Sequence, residues 1–209
     1  MSQDVKPTRS EELRLKEQIE LAENGHDILE KKRDGLIHEF MEIVDEAKEV
    51  NQELADQYSR ARLKLLLAKI YDGEDTIKAN SLAAAEEPEI STETQNIMGV
   101  VVPEISSEQE IKTHVLERSY GITSSTSRID SAADEYEELL EQIIEAAETQ
   151  TKLLKLLNEI EKTKRRVNAL EHKVIPEMKD ALETISQHLE ESEREETFRM
   201  KKVKEMQEE

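Results

Sequence analysis

The chain has 209 residues, no cysteine, and a formal charge of −20 from 49 acidic and 29 basic side chains. Charged residues make up 37% of it and aromatics 3%, a poor composition for one compact core. So acidic a surface repels phosphate backbones and anionic lipid, which argues against nucleic-acid or membrane-surface binding, and the lack of cysteine removes disulfides, thiolate metal sites and a Cys nucleophile.

The absence of cysteine also suits a reducing compartment. Met1 to Pro7 lack the apolar core of a signal peptide, and residues 1–9 are expected to be flexible. Apolar residues still supply 36% of the chain, and their spacing decides the fold class. Of the nine glycines and prolines, Gly73, Pro88, Gly99, Pro103 and Gly121 fall in the middle, which predicts helix, irregular middle, helix.

The first helix is expected over residues 10–71. From Leu15, alternating steps of four and three reach Ile19, Ala22, His26, Leu29, Arg33, Leu36, Phe40, Ile43, Ala47, Val50 and Leu54, then Tyr58, Ala61 and Leu65. This averages 3.5 residues, the seam of a left-handed coiled coil, with one stutter from Leu54 to Tyr58. Thr8 with Glu11 forms a capping box. At about 1.5 Å per residue such a helix is roughly 90 Å long.

The middle segment, residues 72–124, is strongly acidic. Glu89–Gln95 and Asn96–Pro103 have the β-branched enrichment of short strands, with Pro103 ending the second. The apolar run Val100–Val102 after Ile97 and Met98, like every other apolar run of the chain, is far below the roughly 20 residues that cross a bilayer, so no direct membrane insertion is expected.

The second helix is expected over 125–205, capped from the hydroxyls of Thr123–Ser127, with a frayed tail at 206–209. Its seam reads Ile129, Ala133, Tyr136, Leu140, Ile143, Ala147, Gln150, Leu154 and Leu157. It slips near Ile160 and resumes at Val167, Leu170, Val174, Met178, Leu182, Ile185 and Leu189. Pro176 predicts a kink or break. The fold class is therefore all-α, a long antiparallel two-helix coiled-coil hairpin with a small β-hairpin-like element in the middle. A parallel homodimer is the competing way to bury both seams.

Nucleotide and hydrolase signatures are absent: no phosphate-cradling glycine loop, no nucleophile elbow, no H-E-x-x-H. No two of the five histidines stand at i, i+3 or i+4, so no helical metal site, no cofactor and no catalytic residue are expected. His26 and Arg33 lie on the first seam, either as register-setting polar residues or as contacts to a second subunit. Gly25 and Gly35 sit inside the first helix at roughly 1 kcal/mol each relative to alanine, marking a close approach, a bend, or merely tolerated surface positions. The basic run Lys162–Arg166, near Glu159 and Glu161, reads as a solvated helix face.

Three stretches carry a resemblance: Gly25–Leu36 with Glu39-Phe40, Asn96–Pro103, and Arg165–Pro176. In that order, over about residues 8 to 195, the chain resembles the D subunit of the V-type and archaeal A-type ATPases/ATP synthases, the central-stalk rotor shaft. It departs from the family pattern at Glu30, where lysine is usual, at Gly35, where alanine is common, and at His172-Lys173, which replace a more hydrophobic pair. The resemblance implies a non-catalytic shaft that transmits torque between a hexamer of A and B subunits and the ion-translocating membrane ring. It implies that the chain ends enter the hexamer, that the head meets the F and C subunits, and that the complex lies peripherally on the cytoplasmic face of the cell membrane. The acidic balance leans towards an archaeal complex working as a synthase. Partner-contact candidates on the three stretches are Gly25, His26, Arg33, Asn96, Ile97, Met98, Arg165, Arg166, Asn168 and Leu170. The alternatives are a prefoldin-like chaperone, which should be shorter with apolar helix tips, and a generic coiled-coil scaffold, which should dimerise without a β element.

Overall fold

The computed structural model of the protein describes residues 7–83, 90–107, 111, 112, 118, 120 and 125–208. Pro88, Glu89, His114, Gly121, Thr123 and residues 1–6, all touched by the sequence expectations, lie outside the described residues. Helix α1 spans Arg9–Asp72, α2 spans Glu74–Ala83, and strands β1 (Ile90–Ile97) and β2 (Val100–Ser107) follow. Helix α3 covers Ser127–Ala169 and leads through a π turn, Leu170–Val174, into α4, Ile175–Glu208.

Each end of α1 has a local cause. The Glu11 amide donates to Thr8 Oγ1 at 3.3 Å, half of the expected capping box, while the Glu11 carboxylate turns to Arg14 instead of closing the other half. At the far end Gly73 adopts φ +84°, the left-handed conformation that stops a helix and that glycine enters without a Cβ clash. Thr126 caps α3 by accepting the Ile129 amide at 3.4 Å.

The chain divides into two units, Met1–Gly35 with Ile160–Glu209, and Leu36–Glu159. In the first, Arg9 pairs with Glu193 at 3.3 Å and Glu23 with Lys179 at 2.7 Å. In the second, Asn51 meets Gln150 at 3.3 Å, Lys64 meets Ser131 at 3.0 Å, and Asp72 meets Arg128 at 3.1 Å. Numbers rise on one helix as they fall on the other, so within each unit the pairing is antiparallel and inside one chain. The expected two-helix architecture with a small β element is the one found, and the parallel homodimer is not needed to bury the seams.

The phase of the seams differs from the expectation in three places. On α1 the buried face continues Leu54, Gln57, Ala61, Lys64, Ala68 with no stutter. Gln57 is 1% exposed and Tyr58 is 50% exposed. A polar residue takes the seam because its amide finds partners: Gln57 Nε2 donates to the Glu135 carbonyl at 3.2 Å and to its carboxylate at 3.1 Å. On α3 the buried positions are Ile129, Ala132, Leu139, Ala146, Thr149, Leu156, Thr163 and Val167. That stripe lies one residue before the expected Ala133, Tyr136, Leu140 series and needs no slip at Ile160. Past Leu170 the inward face moves to Ile175, Met178, Leu182, Ile185 and Leu189, leaving Val174 exposed.

The π turn is the cause of that last change. It places one extra residue in the helix, with the Ile175 amide bonding to Leu170 five residues back. The added residue rephases the seam. It also opens the backbone just before Pro176, whose ring would otherwise meet the carbonyl of His172. Pro176 therefore neither breaks the helix nor ends it.

Strand β2 does not end at Pro103, as expected, but continues to Ser107. The register pairs Ile97 with Val100 beside the two-residue loop, so Thr94 and Pro103 form a non-hydrogen-bonded pair. Pro103 thus withholds no ladder donor, and β2 tolerates it.

Two of these contacts make testable claims about stability. The Arg128 hydrogen bond holds the Asp72 carboxyl below its usual value, opposed by burial and helped by the Thr126 hydroxyl. A depressed folded value contributes stability above the unfolded pKa, about 3.9, and loses it as pH falls through the folded one. Asp72→Asn should therefore lower the urea midpoint at neutral pH, and the gap to wild type should close on acidification below about pH 4. A pH-independent gap would show that the Arg128 pair is not its source. Gln57→Ala should destabilise by about 2 kcal/mol in urea titrations, because it leaves a cavity on the seam and removes the cross-helix bonds to Glu135.

Candidate functional site

The candidate contact residues divide between the two units. Gly25, His26, Arg33, Arg165, Arg166, Asn168 and Leu170 belong to the first, and Asn96, Ile97 and Met98 to the second.

In the first unit, α1 and the π turn bring two of the motif stretches face to face. His26 is half-buried, with Nδ1 3.3 Å from Asp27 Oδ1 and Nε2 3.9 Å from Glu171 Oε2, next to Leu170. Arg33 is also half-buried on the seam. It donates to Asp34 at 2.8 Å and to Glu30 at 3.2 Å. The Asp34 bond raises the Arg33 pKa, burial lowers it, and the net shift is upward. Thus the guanidinium stays charged and is pinned by its own helix. Arg165 donates to Glu161 at 2.9 Å on the exposed side of α3, where Arg166 and Asn168 are exposed too. A Cβ built on Gly25 would meet nothing within 4 Å, so no close approach within this chain requires that glycine.

In the second unit, β1 and β2 form an antiparallel hairpin closed by Met98 and Gly99, at φ +50° and +87°. Two positive φ values make the primed turn whose twist matches the strands. Asn96 Oδ1 accepts the Gly99 amide at 2.8 Å, which supports the loop. Methionine at φ +50° is uncommon, since its Cβ crowds the following carbonyl. Val100 and Val102 are buried while Val101 is exposed, the period-two alternation of a strand with one packed face. The hairpin is fastened to α3: Glu148 accepts the Ile105 amide at 2.9 Å, and Lys155 donates to the Val101 carbonyl at 3.1 Å. Ile90, Met98 and Val101 stay exposed.

Other features were not foreseen from the sequence. Arg118 is buried, with its guanidinium donating to Glu137 at 3.1 and 2.9 Å, to Asp134 at 2.5 Å and to Tyr120 at 3.2 Å. Burial lowers its pKa, and the bonds to Glu137, Asp134 and Tyr120 outweigh this, so the net shift is upward. The sequence signal was a lone arginine amid an acidic middle. Also unforeseen were exposed apolar stripes at helical spacing, Leu63, Leu66, Leu67 and Ile70 on α1 and Ile143, Leu154 and Leu157 on α3. On α4, Phe198, Met200, Val203 and Met206 are exposed beyond Glu193, the residue that pairs with the first residue of α1. Exposed apolar stripes of this kind are candidate protein-contact surfaces.

The family described as the D subunit of ATP synthase matches residues 11–205 of the chain. The D subunit of the A-type ATP synthase of Haloarcula marismortui is 52% identical over 98% of this chain and 88% of its own length. That of Methanosarcina acetivorans is 53% identical over 97% of this chain and 96% of its own. That of Methanococcoides burtonii is 51% identical over 97% and 98%. The chain belongs to the D-subunit family of ATP synthases.

As a member of this family it is a non-catalytic central-stalk component of a V/A-type ATP synthase, and other subunits of that complex are its partners. Prefoldin-like and generic scaffold alternatives are not favoured. Among the described residues no helix is long and apolar enough to cross a membrane.

Gly25 yields a prediction that separates self-contact from partner contact. With open space around its Cβ, Gly25→Ala should stabilise the isolated chain by about 1 kcal/mol through helix propensity alone. A destabilised variant in thermal or urea unfolding would mean that the position is crowded within the chain.

Proposed function

We propose that the unit formed by the chain ends acts on the catalytic hexamer of A and B subunits, while the middle unit docks the F and C rotor subunits on the cytoplasmic face of the membrane. The observation that carries this division is the stretch of α4 beyond Glu193, where Phe198, Met200, Val203 and Met206 lie exposed on an otherwise charged helix. A helix that continues past its mate with apolar side chains outward gains free energy when a surrounding protein covers them, at about 25 cal/mol per Å² buried. A hexamer cavity offers such a collar. The middle unit offers another kind of surface: the outer face of the hairpin, Ile90 and Val101 among its residues, and the apolar stripes of α1 and α3. These suit neighbours that turn with the shaft.

Torque transmission fits this build. Seams that hold the two helices in one register resist relative sliding, and an asymmetric shaft biases successive A/B pairs between open and closed states. No nucleophile or phosphate loop is needed. The candidate residues Gly25, His26, Arg33, Arg165, Arg166, Asn168 and Leu170 would then serve the hexamer end, and Asn96, Ile97 and Met98 the rotor end.

Reconstitution tests the division. Ending the chain after Leu189 should weaken assembly with the A/B hexamer, or its coupled ATPase activity, while binding of the F subunit persists. The pair Ile90→Asp and Val101→Asp, on the hairpin face that does not pack inward, should leave insertion in the hexamer intact and weaken binding of F or C. If truncation abolishes F binding and spares hexamer coupling, the assignment of ends is reversed.

A further inference from the structure

A cluster at the joint between α1 and the π turn gathers ligand-type side chains that torque transmission by itself does not call for. One imidazole nitrogen of His26 and one carboxylate oxygen each from Asp27 and Glu30 lie within 4.8 Å of one another. His26 Nδ1 is 3.3 Å from Asp27 Oδ1, which places that edge of the ring among the carboxylates. Asp27 is exposed, and His26 and Glu30 are half-buried, so this side opens to solvent. The other edge is closed. His26 Nε2 is buried without a hydrogen-bond partner, and Glu171 Oε2, brought by the π turn from the facing helix, stands 3.9 Å from it.

A buried ring nitrogen with no partner is costly, and a small shift would let Nε2–H donate to Glu171. A metal ion on Nδ1 enforces that state, since it takes the Nδ1 lone pair and leaves the proton on Nε2. A carboxylate behind the ligating imidazole is the usual support of a metal-bound histidine. His26 and Glu30 are also four residues apart, on one face of α1, a spacing at which two side chains converge.

We propose that His26 Nδ1, Asp27 and Glu30 bind one divalent cation of the zinc type, with Glu171 as the outer anchor of the imidazole. One nitrogen and two carboxylate oxygens favour zinc, cobalt or nickel over magnesium or calcium, which prefer all-oxygen shells. The remaining positions are left for water or for a side chain of a neighbouring subunit. Glu30 must leave Arg33, which keeps its 2.8 Å bond to Asp34. The ion would tie α1 to the π turn through His26 and Glu171. The site stands on these residues alone and does not depend on which partner meets which end.

The test uses the full chain, titrated calorimetrically with zinc chloride and followed in parallel by the visible spectrum of cobalt(II). One saturable ion per chain is expected. His26→Gln should weaken it at least tenfold, Glu30→Gln should also weaken it, and Glu171→Gln should cost about 10-fold to 100-fold through loss of the imidazole support. His172→Gln serves as the control, because that exposed ring is 3.8 Å from the same Glu171 oxygen and is not a ligand here. Circular dichroism checks that each variant is folded. Nitrogen NMR of the wild-type imidazoles gives a readout without substitution: zinc should shift Nδ1 of His26 and leave Nε2 protonated. The site is refuted by absence of saturable binding at millimolar zinc, or by unchanged affinity in His26→Gln, which would indicate diffuse binding to an acidic surface. It is equally refuted if His172→Gln costs as much as His26→Gln, or if zinc shifts Nε2 of His26 instead.

Discussion

Two long helices stay together only while their apolar stripes face each other, and the phase of that seam governs the rest of this structure. A 3.5-residue repeat keeps the stripe inward as the helices wind around one another. On α1 the buried face keeps alternating steps of three and four from Glu12 to Ala68. Along α3 the repeat is also regular from Ala132 to Leu170, where the π turn begins, and then one extra residue arrives. Without correction that residue would rotate everything after it by about 100° and turn Ile185 and Leu189 outward. The π turn at Leu170–Val174 absorbs it, so Ile175, Met178 and Ile185 return to the inner face. The same device makes room for Pro176 and carries Glu171 to His26.

Phase alone does not fix register, since an apolar seam can slide by a heptad. Polar residues on the seam oppose sliding, because a shift leaves a buried donor or acceptor unpaired. Gln57 is matched to the carbonyl and side chain of Glu135. At the end of α1, Asp72 accepts from Thr126 at 2.9 Å and from Arg128, whose guanidinium also sits 4.9 Å from the Tyr71 ring centre. These contacts define where each helix stands against the other within the middle unit. For a subunit whose work is to pass on rotation, a register that cannot drift matters more than raw stability.

The fold class and the long helices were legible because heptad spacing is a strong signal, and the hairpin because β-branched residues cluster around Met98-Gly99. The phase of α3 was not. Leu139-Leu140, Ala146-Ala147, Leu153-Leu154 and Leu156-Leu157 are apolar doublets, so two adjacent stripes score almost alike. The choice between them rests on Gln57 meeting Glu135, a contact between residues far apart in sequence. The more apolar stripe looked like the core, yet Leu154 is 61% exposed and Leu156 is fully buried. The π turn was hidden for a related reason: the four-residue steps from Leu170 to Leu182 mark an insertion, which the sequence pattern alone does not distinguish from a locally relaxed supercoil. As for the candidate contact residues, the sequence could name His26 and Arg33 as polar seam positions, but not the Asp27, Glu30 and Glu171 carboxylates that gather around one of them. Asp27 and Glu30 share α1 with His26, whereas Glu171 arrives from the facing helix, which spacing along α1 cannot reveal.

The doublets that obscured the phase have a physical use. A helix that serves only its mate needs one apolar stripe, and extra leucines outside it carry a solubility cost. α3 keeps a second stripe, with Ile143, Leu154 and Leu157 outward, and α1 keeps Leu63, Leu66, Leu67 and Ile70. On the rotor function proposed above, that second stripe is what neighbouring subunits cover, so one helix is built to pack on two sides at once. The ambiguity of the sequence then has a functional origin: local pattern is least decisive where a helix must satisfy both its own chain and a partner. The first unit shows the complementary case. There, α4 beyond Glu193 has no doublets, only Phe198, Met200, Val203 and Met206 set among charges. A sparse apolar set on a charged helix suits a contact that must slip as the shaft turns, whereas a continuous stripe suits neighbours that turn with it.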